Sequence, residues 1–190
     1  MVLIQSIRET LQLHEPTPVV SRNRDRSKAS VLVPLIEDDS VRLLLTLRAE
    51  KLSAHGGEVA LPGGREDIDD LSSQYTALRE TEEEIGVGAN QVEVIGELQS
   101  FVSKYGLLVT PIVGVIPAGL TYRPNPAEID SIFEVPLDFF TTTQPIRIDD
   151  LNRQGEFNRV PAYNFDGYEI WGLTALIIGE LLRVISAAEP

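Results

Sequence analysis

The 190-residue chain contains no cysteine. Disulfides, thiolate nucleophiles and cysteine-ligated zinc are therefore excluded. Histidine is nearly as scarce. His14 and His55 stand far apart in sequence, so a histidine-rich zinc centre is not expected. Basic residues are in short supply as well: 16 Lys and Arg face 29 Asp and Glu, a formal net charge of −13. A chain without a basic footprint is poorly suited to nucleic acid, and the same charge disfavours anionic membranes. Long hydrophobic runs are missing too. The most apolar late stretch, residues 170–185, is broken by Glu180 and Arg183 and is too short to span a bilayer. The start, MVLIQSIRET, lacks the basic-then-apolar pattern of a secretory signal. A cytoplasmic protein is expected.

What is present suits one globular domain with a sizeable core, since 43% of the residues are hydrophobic. Leu3, Ile4, Ile7 and Leu11 fall at helical spacing, and a polar, basic loop follows over 16–28. This divides the chain into an extension, residues 1–28, and a domain, residues 29–190. Residues 29–36 and 41–47 read as a hairpin across Glu37-Asp38-Asp39-Ser40. A short strand over 56–61 precedes Pro62-Gly63-Gly64, a strong breaker. A central helix is expected over 71–85, with Leu71, Tyr75, Leu78 and Ile85 as its sheet-facing stripe and Gly86 as its stop. Further strands are expected over 92–95, 107–116 and 131–135. A hairpin about Asp166-Gly167 and a closing helix over 172–188 complete the pattern. Strands mixed with three helices predict an α/β (α+β) sandwich.

The central helix carries the chemistry. Arg79-Glu80-Thr81-Glu82-Glu83-Glu84-Ile85-Gly86-Val87 packs four glutamates into five positions. At about 100° per residue, Glu80, Glu83 and Glu84 share one face and Glu82 points away from it. Like charges at this spacing cost a helix a few tenths of a kcal/mol per pair. A hard divalent cation such as Mg²⁺ or Mn²⁺ turns that repulsion into binding. An isolated E-x-x-E-E is usually a solvated face. The glycine turn upstream and Arg79 weigh against that here.

Taken with Gly64, residues 64–87 resemble the Nudix box, G-x5-E-x7-R-E-U-x-E-E-x-G-U, with U aliphatic. Gly64 matches the opening glycine, Arg79-Glu80 the R-E pair, Glu83-Glu84 the E-E pair and Gly86-Val87 the ending. Asp70 takes the first acidic position, eight residues rather than seven before Arg79, and Thr81 stands at an aliphatic position. The run LLTLRAEKLSAHGGEVALPGG, residues 44–64, is similar to the signature of the coenzyme A pyrophosphatase branch of that family. Ser53 replaces its second arginine and Leu61 its phenylalanine. VTPIVGVIP at 109–117, Phe133-Glu134-Val135-Pro136-Leu137 and Ile170-Trp171-Gly172-Leu173-Thr174 also resemble that branch.

The resemblance implies a Nudix-type α/β/α sandwich with a mixed sheet and a loop-helix. It implies a Mg²⁺- or Mn²⁺-dependent hydrolysis of coenzyme A to 3′,5′-ADP and 4′-phosphopantetheine. Glu80 and Glu84 are the main expected metal ligands, with Glu83 sharing the site and the Gly64 carbonyl adding an oxygen. Arg79 orients a cluster carboxylate. Glu83 and Glu128 are alternative general bases. Arg48, His55 and Lys104 are expected contacts for the anionic substrate. The partner is thus a small nucleotide, with neither nucleic acid nor membrane involved and no oligomeric state indicated. Two other readings stand beside this one: a diphosphatase for ADP-ribose or a dinucleoside polyphosphate, and a non-catalytic nucleotide-sensing module. Taken alone, His55 is an ordinary surface or packing residue, Trp171 a core residue and the Asp67–Asp69–Asp70 group an acidic loop.

Overall fold

The computed structural model describes residues 4–17, 27–52, 55–153 and 156–187. The expectations for Leu3, for most of the 16–28 loop, for Ser53 and for residue 188 lie outside that range. The chain forms α1 (Ile4–Leu13), β1 (Lys28–Glu37), β2 (Val41–Arg48), β3 (Val59–Ala60), β4 (Gly63–Arg65) and α2 (Ser73–Ile85). It continues through β5 (Glu93–Glu97), β6 (Phe101–Val102), β7 (Leu108–Pro117), β8 (Ile129–Pro136), α3 (Phe139–Thr142), β9 (Arg147–Arg153), β10 (Glu156–Phe165), β11 (Tyr168–Ile170) and α4 (Gly172–Ser186).

The large sheet is mixed. Its path runs β3-β2-β1-β7-β5, with β4 on β1, β6 on β7 and β8 on β2. The β1–β7 pair is parallel and every other pair in it is antiparallel. Successive side chains of β1 leave on opposite faces, and both faces are covered. Val33 and Leu35 join Ile7 and Leu11 of α1 and Ile178 and Leu181 of α4 in the main core. Leu32 packs with Ala77 of α2, and Ile36 packs with Ile85 at its end. This makes the expected α/β/α sandwich. A smaller three-stranded sheet, β11-β10-β9, packs beside α4. Its β10–β11 turn places Asp166 at φ 50° and Gly167 at φ 91°, as the Asp-Gly pair predicts. Strand β9 and helix α3 carry no strong periodic signal and were not expected.

Two expectations need correction. Gly63 and Gly64 do not simply break the chain: they form β4 and pair with Val31 and Ser30 of β1. The stripe assigned to the central helix holds at Leu78 and Ile85, which pack on the core, and fails at Leu71 and Tyr75. Leu71 is 87% exposed, precedes the helix, and Tyr75 is 47% exposed. The sheet-facing side is Thr76, Ala77, Thr81, Glu84 and Ile85. Small residues occupy it because the helix lies close over β1 and the glycine strand β4, where bulky side chains would hold it off. No helix among the described residues is long and apolar enough to cross a membrane.

Candidate active site

Helix α2 is defined at both ends by its own residues. The Ser72 hydroxyl accepts from the Tyr75 N–H at 3.1 Å as N-cap, and Gly86 at φ 73° closes the other end, its N–H donating to the Glu82 carbonyl at 3.0 Å. The 123–128 loop then fastens onto the helix end. Arg123 N–H donates to the Ile85 carbonyl and Asn125 N–H to the Glu84 carbonyl, each at 2.8 Å. The Glu128 carbonyl accepts from Ala49 N–H at 2.8 Å. These bonds set Glu128 so that its charge acts on both Glu80 and Glu84.

Arg79 is the hub of the cluster. Its Nε and one terminal nitrogen donate to both oxygens of Asp70 at 3.0 and 2.9 Å. The other terminal nitrogen donates to Glu80 at 2.9 Å and to Glu83 at 3.3 Å. The Arg65 carbonyl accepts a further bond at 3.1 Å. Asp70 is thus the buried anchor of Arg79. It also accepts from Asp67 N–H at 2.9 Å and the Thr76 hydroxyl at 2.8 Å. Arg79 holds the Asp70 carboxyl well below the usual carboxylate range, and Asp70 in turn pushes the guanidinium up. The eight-residue spacing to Arg79 is absorbed by the loop ahead of the helix, and the shorter aspartate reaches the guanidinium. Thr81, the other departure from the motif, is fully buried and returns its hydroxyl to the Ala77 carbonyl at 2.6 Å.

Glu84 is 2% exposed, at the seam between helix and sheet. It accepts from Arg48 at 3.1 Å and from Gly63 N–H at 3.0 Å. Burial pushes its carboxyl up to about 7 despite those two partners, and the Glu128 and Glu80 charges add to the rise. Burial likewise raises Glu80, with Arg79 opposing it. Gly64 faces the Glu80 carboxylate so closely that any Cβ there would overlap it. Glu82 is exposed, away from the cluster as expected. Among the described residues no three acidic or histidine side chains converge on one point as they stand. Glu80 and Glu83 are turned to Arg79 and Glu84 to Arg48. The donor set nevertheless fits a hard divalent cation: it is all oxygen, burial and nearby carboxylates raise the proton affinity of Glu80 and Glu84, and it borders a glycine that leaves it room.

A pocket of about 430 Å³ opens beside this cluster. Arg48, His55 and Lys104, the three expected substrate contacts, all line it, as do Gly63 and Trp171. Arg48 ends β2 where the pairing with β8 shifts by one residue, Asp130 being the extra one between the partners of Leu47 and Arg48. Apolar walls come from Val31, Leu61, Leu107 and Leu173. Trp171 is only partly buried and carries the Arg147 guanidinium 5.9 Å from its ring centre, so it is more than a core filler. Sequence reasoning missed Glu58, whose carboxylate bonds His55 and lies near Lys104. The sole signal for it was its place in His55-Gly56-Gly57-Glu58.

A mixed sheet between helices, a glycine strand and a glutamate-rich helix pinned by one arginine together define a class of phosphoanhydride hydrolase. The NUDIX domain family matches residues 26–149, and the chain belongs to the Nudix hydrolase family. An uncharacterized Nudix hydrolase NudL of Photorhabdus laumondii is 40% identical over 185 residues, 97% of this chain and 99% of that protein. A protein of the same description from Yersinia pestis is 41% identical over 180 residues, 93% of this chain and 90% of that one. Among solved structures, the Nudix hydrolase RenU of M. smegmatis superposes with TM-score 0.54 at 21% identity, covering 87% of this chain and 88% of its own. A MutT/nudix family protein of Enterococcus faecalis gives the same TM-score at 18% identity, over 98% of this chain and 70% of that chain. At these identities the structural likeness speaks for the fold.

Proposed function

We propose that this Nudix hydrolase is a divalent-cation-dependent coenzyme A diphosphatase of the cytoplasm, releasing 3′,5′-ADP and 4′-phosphopantetheine. The observation that carries the reading is a shared pair of residues. Arg48 and Gly63 both bond Glu84 and both line the 430 Å³ pocket. A substrate seated in the pocket therefore abuts the carboxylate helix. The 44–64 run, whose likeness is to the coenzyme A branch, supplies Arg48, His55 and Gly63 to that wall.

Glu80, Glu83, Glu84 and the Gly64 carbonyl would hold Mg²⁺ or Mn²⁺, which neutralises a diphosphate and acidifies water. The chain's own groups do the rest. Arg79, locked by Asp70, fixes where Glu80 and Glu83 can stand. Arg48 and Lys104 place positive charge against the anionic substrate in a chain that is otherwise strongly acidic. Glu128 or Glu83 takes the proton from the attacking water. The water oxygen bonds one phosphorus as the bridging P–O bond breaks, leaving two phosphomonoesters.

Incubation with Mg²⁺ or Mn²⁺ and separate diphosphates, followed by separation of products, tests the reading. Phosphopantetheine release from coenzyme A is expected. Fast cleavage of ADP-ribose or a dinucleoside polyphosphate without it would replace this substrate with another of the family. Binding without turnover under any metal would make the chain a sensing module.

A further inference from the structure

Glu58 sits at a junction that the reaction described above leaves unexplained. Its backbone closes the loop between β2 and β3: Arg48 N–H donates to its carbonyl at 3.0 Å, and Gly57 N–H to the Arg48 carbonyl at 3.0 Å. Its register opposite Arg48 is thereby fixed. Its side chain takes the His55 Nδ1–H at 2.6 Å, and its other oxygen lies 3.4 Å from Lys104 Nζ. The His55 ring meets Tyr105 edge-on, with centroids 5.0 Å apart, and Lys104 lies over the same Tyr105 ring at 5.1 Å. Two loops distant in sequence are thus clasped at the pocket through one carboxylate.

His55 stands at φ 59°, in the left-handed region that strains a non-glycine residue. Such a backbone persists where neighbours hold it, and the short bond from Glu58 is the strongest hold on this ring. The bond also selects a tautomer. A carboxylate can only accept, so Nδ1 gives the proton; in the neutral ring Nε2 then keeps its lone pair and has no partner among the described residues, while the residue itself lines the pocket. The Lys104 contact is longer and half-exposed, a geometry worth little on its own.

We infer that Glu58 is a positioning residue for substrate: it holds His55 as the Nδ1–H tautomer, so that Nε2 accepts a hydrogen bond from an amide or hydroxyl of the diphosphate substrate. The inference rests on the pocket being the substrate site, and it adds an acceptor to a wall otherwise known for its cations. A carboxylate so close to an anionic ligand could act in the opposite sense, by repulsion, and the two senses give opposite kinetics.

The test has two arms. Long-range proton–nitrogen NMR of the free protein at about pH 8, where imidazoles in general carry one proton, reads the tautomer without reference to any substrate. Wild type and Glu58→Gln, whose amide oxygen still accepts, should show His55 as Nδ1–H. Glu58→Ala should shift it toward Nε2–H. Steady-state kinetics use coenzyme A, or ADP-ribose if coenzyme A is not cleaved. Glu58→Ala and His55→Ala should each raise KM about tenfold with kcat within about twofold, the scale of one hydrogen bond. The double variant should be no worse than either. Glu58→Gln should stay within about threefold of wild type. An Nε2–H tautomer in wild type overturns the inference. So does a lower KM in Glu58→Ala, or additive losses in the double variant. Failure of coenzyme A cleavage alone would change the proposed substrate and leave the tautomer result standing.

Discussion

At the scale of single residues, the site is governed by which carboxylates are buried and what answers them. Glu84 is the extreme case, held up to about 7 by burial with only Arg48 and Gly63 in opposition. A carboxyl whose folded-state value is raised binds its proton more tightly folded than unfolded. Its stabilising contribution is complete below the ordinary glutamate range and is lost as pH rises through about 7. In chelator-treated protein, denaturant midpoints should therefore fall between roughly pH 4.5 and 7, by up to about 3 kcal/mol in free energy. Glu84→Gln should flatten that slope while cutting turnover by about a hundredfold or more, since an amide in place of the carboxylate would weaken the proposed cation site. Exposed Glu82 is the internal control, and Glu82→Gln should leave kcat within about twofold. Equal losses in the two variants would contradict the assignment. The glutamates of this cluster were legible in the sequence because repulsion at i, i+3, i+4 is costly and therefore informative. Asp70 and Glu58 were less so. Each acts by holding another side chain, and which side chain it meets is decided by a loop path that no periodicity encodes.

At the scale of elements, strand β4 shows how two adjacent glycines can be needed for different reasons. Gly63 has φ 151° and a side chain there would overlap the Ser30 carbonyl and the Val31 backbone. Gly64 faces the flexible end of Glu80 instead. Gly63→Ala should accordingly destabilise the fold by about 2 kcal/mol or more, because backbone must move. Gly64→Ala should melt near wild type, lose activity by about a hundredfold and bind Mn²⁺ more weakly in titration calorimetry. Loss of stability in both would mean that β4 serves only the sheet. Helix α2 teaches a related lesson. Its C-terminal end was readable from Gly86, but its start was expected at Leu71 rather than Ser73, and of its core-facing side only Leu78 and Ile85 were foreseen, because hydrophobicity is a poor guide where a helix lies against glycines. Thr76, Ala77 and Thr81 fill that narrow space, while Leu71 and Tyr75 face solvent. The β1–β2 hairpin, β7 and α4 were legible since each buries a long apolar run, whereas β8 was expected from its β-rich residues 131–135 and buries only Ile129 and Val135. β9 was not, its sequence RIDDLNR offering no such run.

At the scale of the whole molecule, the matched family region begins at residue 26, yet the core does not. Helix α1 lies outside that region and still buries Ile4, Ile7 and Leu11 in the main cluster with β1, β2 and α4. Leu11 packs so near Gly96 of β5 that a Cβ there would sit 2.9 Å from its own Cβ. Arg8 adds bonds to Glu93 at 2.8 Å and Glu37 at 3.3 Å. A separable extension would unfold by itself and leave the domain's midpoint unchanged. A helix that completes the core cannot. Ile7→Ala should cost about 2–5 kcal/mol, a large share of a domain's whole stability, because its fully buried side chain would leave a cavity. The loss should appear as an earlier but still single cooperative transition, with KM for the diphosphate substrate unchanged, since none of the pocket-lining residues belongs to α1. Two resolved transitions in guanidinium, or an unshifted midpoint, would show instead that the first helix is an appendage and that the sandwich is stable without it.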